Sequence, residues 1–167
     1  QQTHKVDAAV MLFEFPLTKR FKGAFGKLDR TVKITKAAED FEFPLESAPK
    51  QVRIDPEYTL LAKITFPIPN AMLEAQLADN EDLIGRILAL EQLAKRNDAQ
   101  TVKRLKTVLN SDPFHAVRTR ASSALGAIHS DDALAALLES TRQPDARVRK
   151  QVVQDIGRFL RDSAYEQ

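Results

Sequence analysis

The chain has 167 residues, enough for one domain or two small ones, and 25 basic against 23 acidic side chains leave a net charge of +2. That near balance argues against a nucleic-acid partner held by phosphate neutralisation, and 43% apolar with 29% charged residues is ordinary for a globular chain. The absence of cysteine excludes disulfides, a thiol nucleophile and thiolate-bound zinc or iron–sulfur sites.

No run of about 18 apolar residues occurs, and no basic-plus-apolar leader opens the chain. No membrane partner is therefore expected, and a cytoplasmic location is favoured.

Composition changes near residue 70. Residues 1–69 hold seven of the nine phenylalanines and six of the eight prolines, whereas residues 70–167 have only Phe114, Phe159 and Tyr165 as aromatics and are dense in alanine, leucine and arginine. The change is from strand formers to helix formers.

In the first part, Val10–Phe15, Thr31–Lys36, Phe41–Leu45, Gln51–Ile54 and Leu60–Phe66 read as short strands. Val32 and Ile34 alternate with Lys33 and Thr35, the period of a strand with one wet face. Pro16 and Pro44 are expected to end their strands, Gly23 and Gly26 to open a loop, and Asp55-Pro56-Glu57-Tyr58 to form a turn. The pentapeptide Phe-Glu-Phe-Pro-Leu occurs at Phe13–Leu17 and again at Phe41–Leu45, but the flanks do not match, which favours coincidence over duplication. This spacing predicts a small antiparallel β-sandwich over 1–69.

The second part repeats. Arg86, Arg118 and Arg149 follow one another at steps of 32 and 31 residues. Three residues after each stand Ala89, Ala121 and Val152, and further on come Leu93-Ala94, Leu125-Gly126 and Ile156-Gly157. One helix is thus written three times, and a period of about 31 residues predicts stacked helix pairs that bury their apolar faces only against neighbours. The alternate helices are placed at Asn70–Ala78, Ala99–Leu109 and Asp132–Ser140. Pro113 and Pro144 are expected in first helical turns, and Ala94, Gly126 and Gly157 where a neighbouring helix comes close.

The pairs Val117-Arg118 and Val148-Arg149 resemble the signature of HEAT-like repeats, over residues 82–163. In that family such an arginine usually bonds an acidic residue or a helix end of the adjoining repeat. The resemblance therefore implies an internal ladder through Arg86, Arg118 and Arg149, with contact to a bound peptide as the alternative role. Asp112, Asp131 and Asp145 lie near the pair boundaries.

Chemistry-bearing motifs are lacking. His4, His115 and His129 do not stand in H-E-x-x-H, and His115 and His129, at opposite ends of one helix, are roughly 20 Å apart at 1.5 Å per residue. There is no G-x-S-x-G elbow and no glycine-rich phosphate loop. Glu81-Asp82 and Asp131-Asp132 read as helix-start acids, and Lys19, Arg20 and Lys22 with Phe21 and Phe25 as a solvated strand end. No catalytic, cofactor-binding or metal-ligating residue is assigned to this chain.

The order of sheet and helical array, together with Gln2-Thr3 and Val52–Phe66 (VRIDPEYTLLAKITF), resembles the C-terminal region of zinc aminopeptidases of the aminopeptidase N type. The form V-x-x-D-P-x-x-x-L-L-K is met by Val52, Asp55, Pro56, Leu60, Leu61 and Lys63, with Ala62 inserted before the lysine. The resemblance implies a parent metallopeptidase whose zinc lies in a catalytic domain upstream. Here the segment would brace that domain and gate its peptide cleft, without hydrolysing peptides itself. Gln1 as the first residue agrees with a piece of a longer chain. The competing expectation is a HEAT-repeat interaction scaffold with another protein as partner and no peptidase activity in the parent; a repeat-containing accessory of the lyase type is more remote. The expected architecture is β then α: an antiparallel β-sandwich over 1–69, then an α-α superhelix of HEAT-like pairs over 70–167.

Overall fold

The computed structural model describes residues 1–4 and 11–159. Three strands precede six helices: β1 (Phe15–Gly23), β2 (Gly26–Ile34), β3 (Gln51–Ile54), α1 (Asn70–Leu77), α2 (Leu83–Leu93), α3 (Ala99–Ser111), α4 (His115–Ile128), α5 (Asp131–Leu138) and α6 (Ala146–Ile156). The chain divides into two compact units, Gln1–Ala75 and Gln76–Gln167.

In the first unit the strands form one antiparallel sheet in the order β2-β1-β3. Its register separates the two faces, because directly opposed residues point the same way. Phe15, Leu17 and Phe21 of β1 oppose Ile34, Val32 and Leu28 of β2, and Phe21 opposes Val52 of β3. Arg20 opposes Asp29 and Arg53 on the other face. Two cation pairs also oppose each other, Lys19 with Arg30 and Lys22 with Lys27. The turn is closed by Gly26, whose φ of 87° suits glycine, and a Cβ on Gly23 would lie 2.8 Å from the Phe25 ring.

A second sheet, which a sandwich requires, is not found among the described residues. Phe41–Leu45 and Leu60–Phe66 lie outside strands, as do Met11–Glu14; Val10 falls outside the described residues. The physical reason differs by segment. Phe43 packs on Phe21 with ring centroids 5.2 Å apart and lies beneath the Lys19 ammonium, so its run covers the apolar face of the sheet without joining the ladder. Leu61 and Ile64 are exposed. Pro16 does not end a strand but stands second in β1, where a missing N–H is tolerated. Lys19, Arg20 and Lys22 lie within the second half of β1, Lys22 next to its last residue.

The predicted turn at 55–58 is present: Tyr58 N–H donates to Asp55 O at 3.1 Å. Asp55 is 3% exposed, and its carboxylate accepts from Thr59 N, Thr59 Oγ1 and Leu60 N at 2.7–2.9 Å. Gln2 ties distant strands of chain together, exchanging side-chain bonds with Phe13 N and O and donating its own N–H to Ala37 O.

In the second unit each helix starts and stops where its sequence dictates. Asp82, Asp98, Ser130 and Asp145 cap α2, α3, α5 and α6 by accepting a first-turn N–H, each such cap contributing about 1 kcal/mol. Pro113 and Pro144 sit one residue before the N-caps Phe114 and Asp145, just outside the first turns in which they were expected. α4 ends at His129, a left-handed cap with φ of 56°, whose ring stacks on Phe159 at 4.3 Å.

Amphipathic spacing makes the core. On α3, Val102, Leu105, Val108 and Leu109 are buried, and on α6, Val148, Val152 and Ile156. α4 is buried at Val117, Ala121, Ser122, Ala124, Leu125, Gly126 and Ile128 because it packs on α2, α3, α5 and α6. Each fully buried leucine or valine stabilises the array by about 1.5–3 kcal/mol relative to exposure.

Candidate functional site

The three arginines of the repeat occupy equivalent helix positions but meet different partners. Arg86, 4% exposed, donates from Nη1 to Asp112 Oδ2 at 2.7 Å, with both side chains buried. Asp112 also accepts from Phe114 N at 2.8 Å through Oδ1, so one carboxylate joins α2 to the start of α4. This is a rung between consecutive repeats.

At the next seam the residue matching Asp112 is Gln143. Gln143 is 4% exposed, donates to Asn110 Oδ1 at 2.8 Å, and its Oε1 has no hydrogen-bond partner. Arg118 is half-buried, its Nε is enclosed without a partner, and no ion pair reaches it among the described residues. Arg149 is exposed and donates from Nη1 to Gln143 O and Pro144 O at 2.7 and 2.9 Å, tying down the loop before its own helix. The three arginines are therefore not brought together at one point.

A second link between repeats has no counterpart in the expected ladder. Asp155 on α6 is fully buried and accepts from Ser122 Oγ on α4 at 2.6 Å and from Gln151 Nε2 at 3.0 Å. Gly126 makes room for it: a Cβ there would lie 3.1 Å from Asp155 Cβ and Oδ1. The signal in the sequence is Ser122, which matches Leu90 and Val153; Asp155 matches Gln92 and Ala124 and so does not stand out. Gly157 lacks such a neighbour, with Val153 O at 3.5 Å, so of the two glycines at this repeat position only Gly126 meets a close approach; Ala94 is the C-cap of α2. A polar seam joins α3 and α5 as well, where Asn110 Nδ2 donates to Ser140 Oγ at 2.8 Å and Lys106 pairs with Glu139.

Among the charged groups, the Arg147 guanidinium holds the Asp145 carboxyl well below its ordinary range, helped by Arg147 N–H. In the first unit Arg20 does the same to Asp29, and the bonds it donates to Asp29 and Glu57 keep Arg20 protonated far above ordinary pH. Among the described residues no three His, Asp or Glu side chains come together as a metal would require. No helix among them is long and apolar enough to cross a membrane.

Two-helix units at a period near 31 residues, linked by arginine–aspartate and serine–aspartate rungs, describe a helical repeat array. A family model for HEAT repeats matches residues 70–157. The chain belongs to the HEAT-repeat family. No curated protein matches it. The matched HEAT repeats begin with α1 and run to the C-cap of α6.

In this HEAT array the second helices, α2, α4 and α6, form one row. Their matching outward positions are Ile84, Ala116 and Arg147; Ile87, Thr119 and Lys150; and Leu88, Arg120 and Gln151. None of these side chains is buried.

Proposed function

We propose that this segment is a non-catalytic scaffold whose HEAT array holds another protein surface through the outward row of α2, α4 and α6. The observation that carries this reading is the contrast between two positions of these helices: Arg86 faces inward and is spent on the link to Asp112, whereas Arg120 and Lys150, on the outward row, are exposed. A photoreactive residue placed at Arg120 should form a defined protein adduct in cells that the same residue at Thr107, on the exposed side of α3, does not form. Equal adducts from both positions, or none, would sink the reading.

A second reading rests on the resemblance of Gln2-Thr3 and Val52–Phe66 to aminopeptidase N-type enzymes. In it the partner is the upstream catalytic domain of the same polypeptide, the regions 1–69 and 70–167 are separate domains, and zinc belongs to the upstream domain. The groups carrying this resemblance have internal duties: Gln2 bridges Phe13 and Ala37, and Asp55 closes the turn before Thr59. Reading the upstream frame tests it. H-E-x-x-H followed about 18 residues later by glutamate is expected, and a frame without it removes the peptidase reading while leaving the scaffold.

A further inference from the structure

Each second helix of the HEAT array carries one stripe at matching positions. On α2 it is Arg86 and Leu90, continued by Ala94, and on α4 it is Arg118, Ser122 and Gly126. α4 packs on α2 and α6 packs on α4, and the middle residues, Leu90 and Ser122, are fully buried. On α6 the stripe is Arg149 and Val153, continued by Gly157, and there it is open. Val153 is 63% exposed, and Arg149 and Gly157 are exposed with it.

The two earlier seams show what these positions receive from the next repeat. Arg86 takes the Asp112 carboxylate from the loop before α4, and Gly126 leaves the space that Asp155 of α6 fills. On α6 neither need is met among the described residues. Arg149 spends only Nη1, on Gln143 O and Pro144 O. A Cβ on Gly157 would meet nothing closer than its own helix backbone, Val153 O at 3.5 Å and Gln154 O at 3.6 Å. A cation, a branched apolar residue and a glycine thus repeat one half of a seam.

We propose that this end of the array stacks a helix of a different protein in the register of the earlier seams. That helix brings a carboxylate near its N-terminus to Arg149, an apolar side chain to Val153 and a side chain into the gap over Gly157. Charge argues against the same stripe from a second copy. The single acid of α6, Asp155, is buried, and Asp145 at its cap is held by Arg147, so a second α6 brings Arg149 another guanidinium and no free carboxylate. The stripe lies beside the outward row of Arg120 rather than in it, and the two surfaces stand or fall separately.

In the test, a photoreactive residue replaces Val153 in the full chain, and adducts formed in cells are mapped by mass spectrometry to the residue joined. The expected product joins one helix of a different protein, with aspartate or glutamate within about one turn of its N-terminus. The mapped helix, made as a synthetic peptide, should bind the purified chain, and Arg149→Glu should weaken it about tenfold or more. Because Arg149 also ties down its own loop, Gly157→Leu serves as a second variant: it fills the gap at an exposed position and should weaken the peptide as much. Circular dichroism shows whether each variant is folded. An adduct within the same polypeptide, with a second copy, or with a segment lacking a carboxylate overturns the proposal. So does the absence of an adduct, or peptide binding that is indifferent to both substitutions.

Discussion

Arg86 and Asp112, 26 residues apart in sequence, close a buried ion pair of 2.7 Å that links one helical repeat to the next. Neither side chain is more than 8% exposed, so removal of one partner strands the other charge away from water. Arg86→Ala or Asp112→Ala should each lower unfolding free energy by about 3–5 kcal/mol in urea titrations. Replacing both by apolar residues of similar volume should recover most of that loss. A single-site loss below about 1 kcal/mol would show that water reaches the pair.

The seam at Arg118 gives a complementary test. Gln143→Asp should be tolerated better with Arg118 present than in an Arg118→Ala background, giving a favourable coupling of about 1 kcal/mol or more in a double-mutant cycle. Zero coupling would mean that Arg118 does not reach position 143.

Glycine substitution separates packing from propensity. At Gly126 a Cβ meets Asp155 at 3.1 Å, closer than the surrounding helices allow without a shift. Gly126→Ala should cost about 1–3 kcal/mol despite its gain in helix propensity. Gly157 has ordinary right-handed geometry and only Val153 O at 3.5 Å, so Gly157→Ala should be neutral or stabilise by up to about 1 kcal/mol. Thermal melts of the two variants should move in opposite directions.

Acid should loosen the first unit through Asp55 and Asp29. Burial pushes the Asp55 carboxyl up, but Leu60 N, the Thr59 hydroxyl and N–H and the Arg53 charge together hold it below its ordinary 3.8. Asp29 is held down by Arg20. A carboxyl whose folded pKa is depressed stabilises fully above its unfolded value and loses that contribution as pH falls through the folded one. Stability should therefore be flat above about pH 5 and fall below about pH 4. Asp55→Asn should lower the plateau and make the acid fall shallower; an unchanged slope would show that Asp55 contributes nothing to it.

The helical half was legible because burial follows the 3.6-residue period and because Arg86, Arg118 and Arg149 repeat at nearly constant steps. What each arginine touches was not, since the position that carries Asp112 at one seam carries Gln143 at the next. The strand half was harder. Phe43 is apolar because it covers Phe21, not because it pairs, and alternation alone does not separate a strand from a covering segment. Asp155 escaped notice because a buried carboxylate reads as a surface residue until its partners, Ser122 and Gly126, are seen on the facing helix.

The opposed cations of the hairpin have a bearing on how the protein behaves in a crowded solution. β2 runs nine residues along an edge of the sheet, long enough to template a strand from another molecule. Lys19 opposite Arg30 and Lys22 opposite Lys27 cost the hairpin a few tenths of a kcal/mol each. That repulsion is also felt by a second copy of the same edge, which must bring its own like charges alongside. The hairpin therefore gives up a little of its own stability in return for colloidal stability, and this protection is electrostatic: at about 1 M salt, where screening reaches about 3 Å, edge-to-edge association becomes possible.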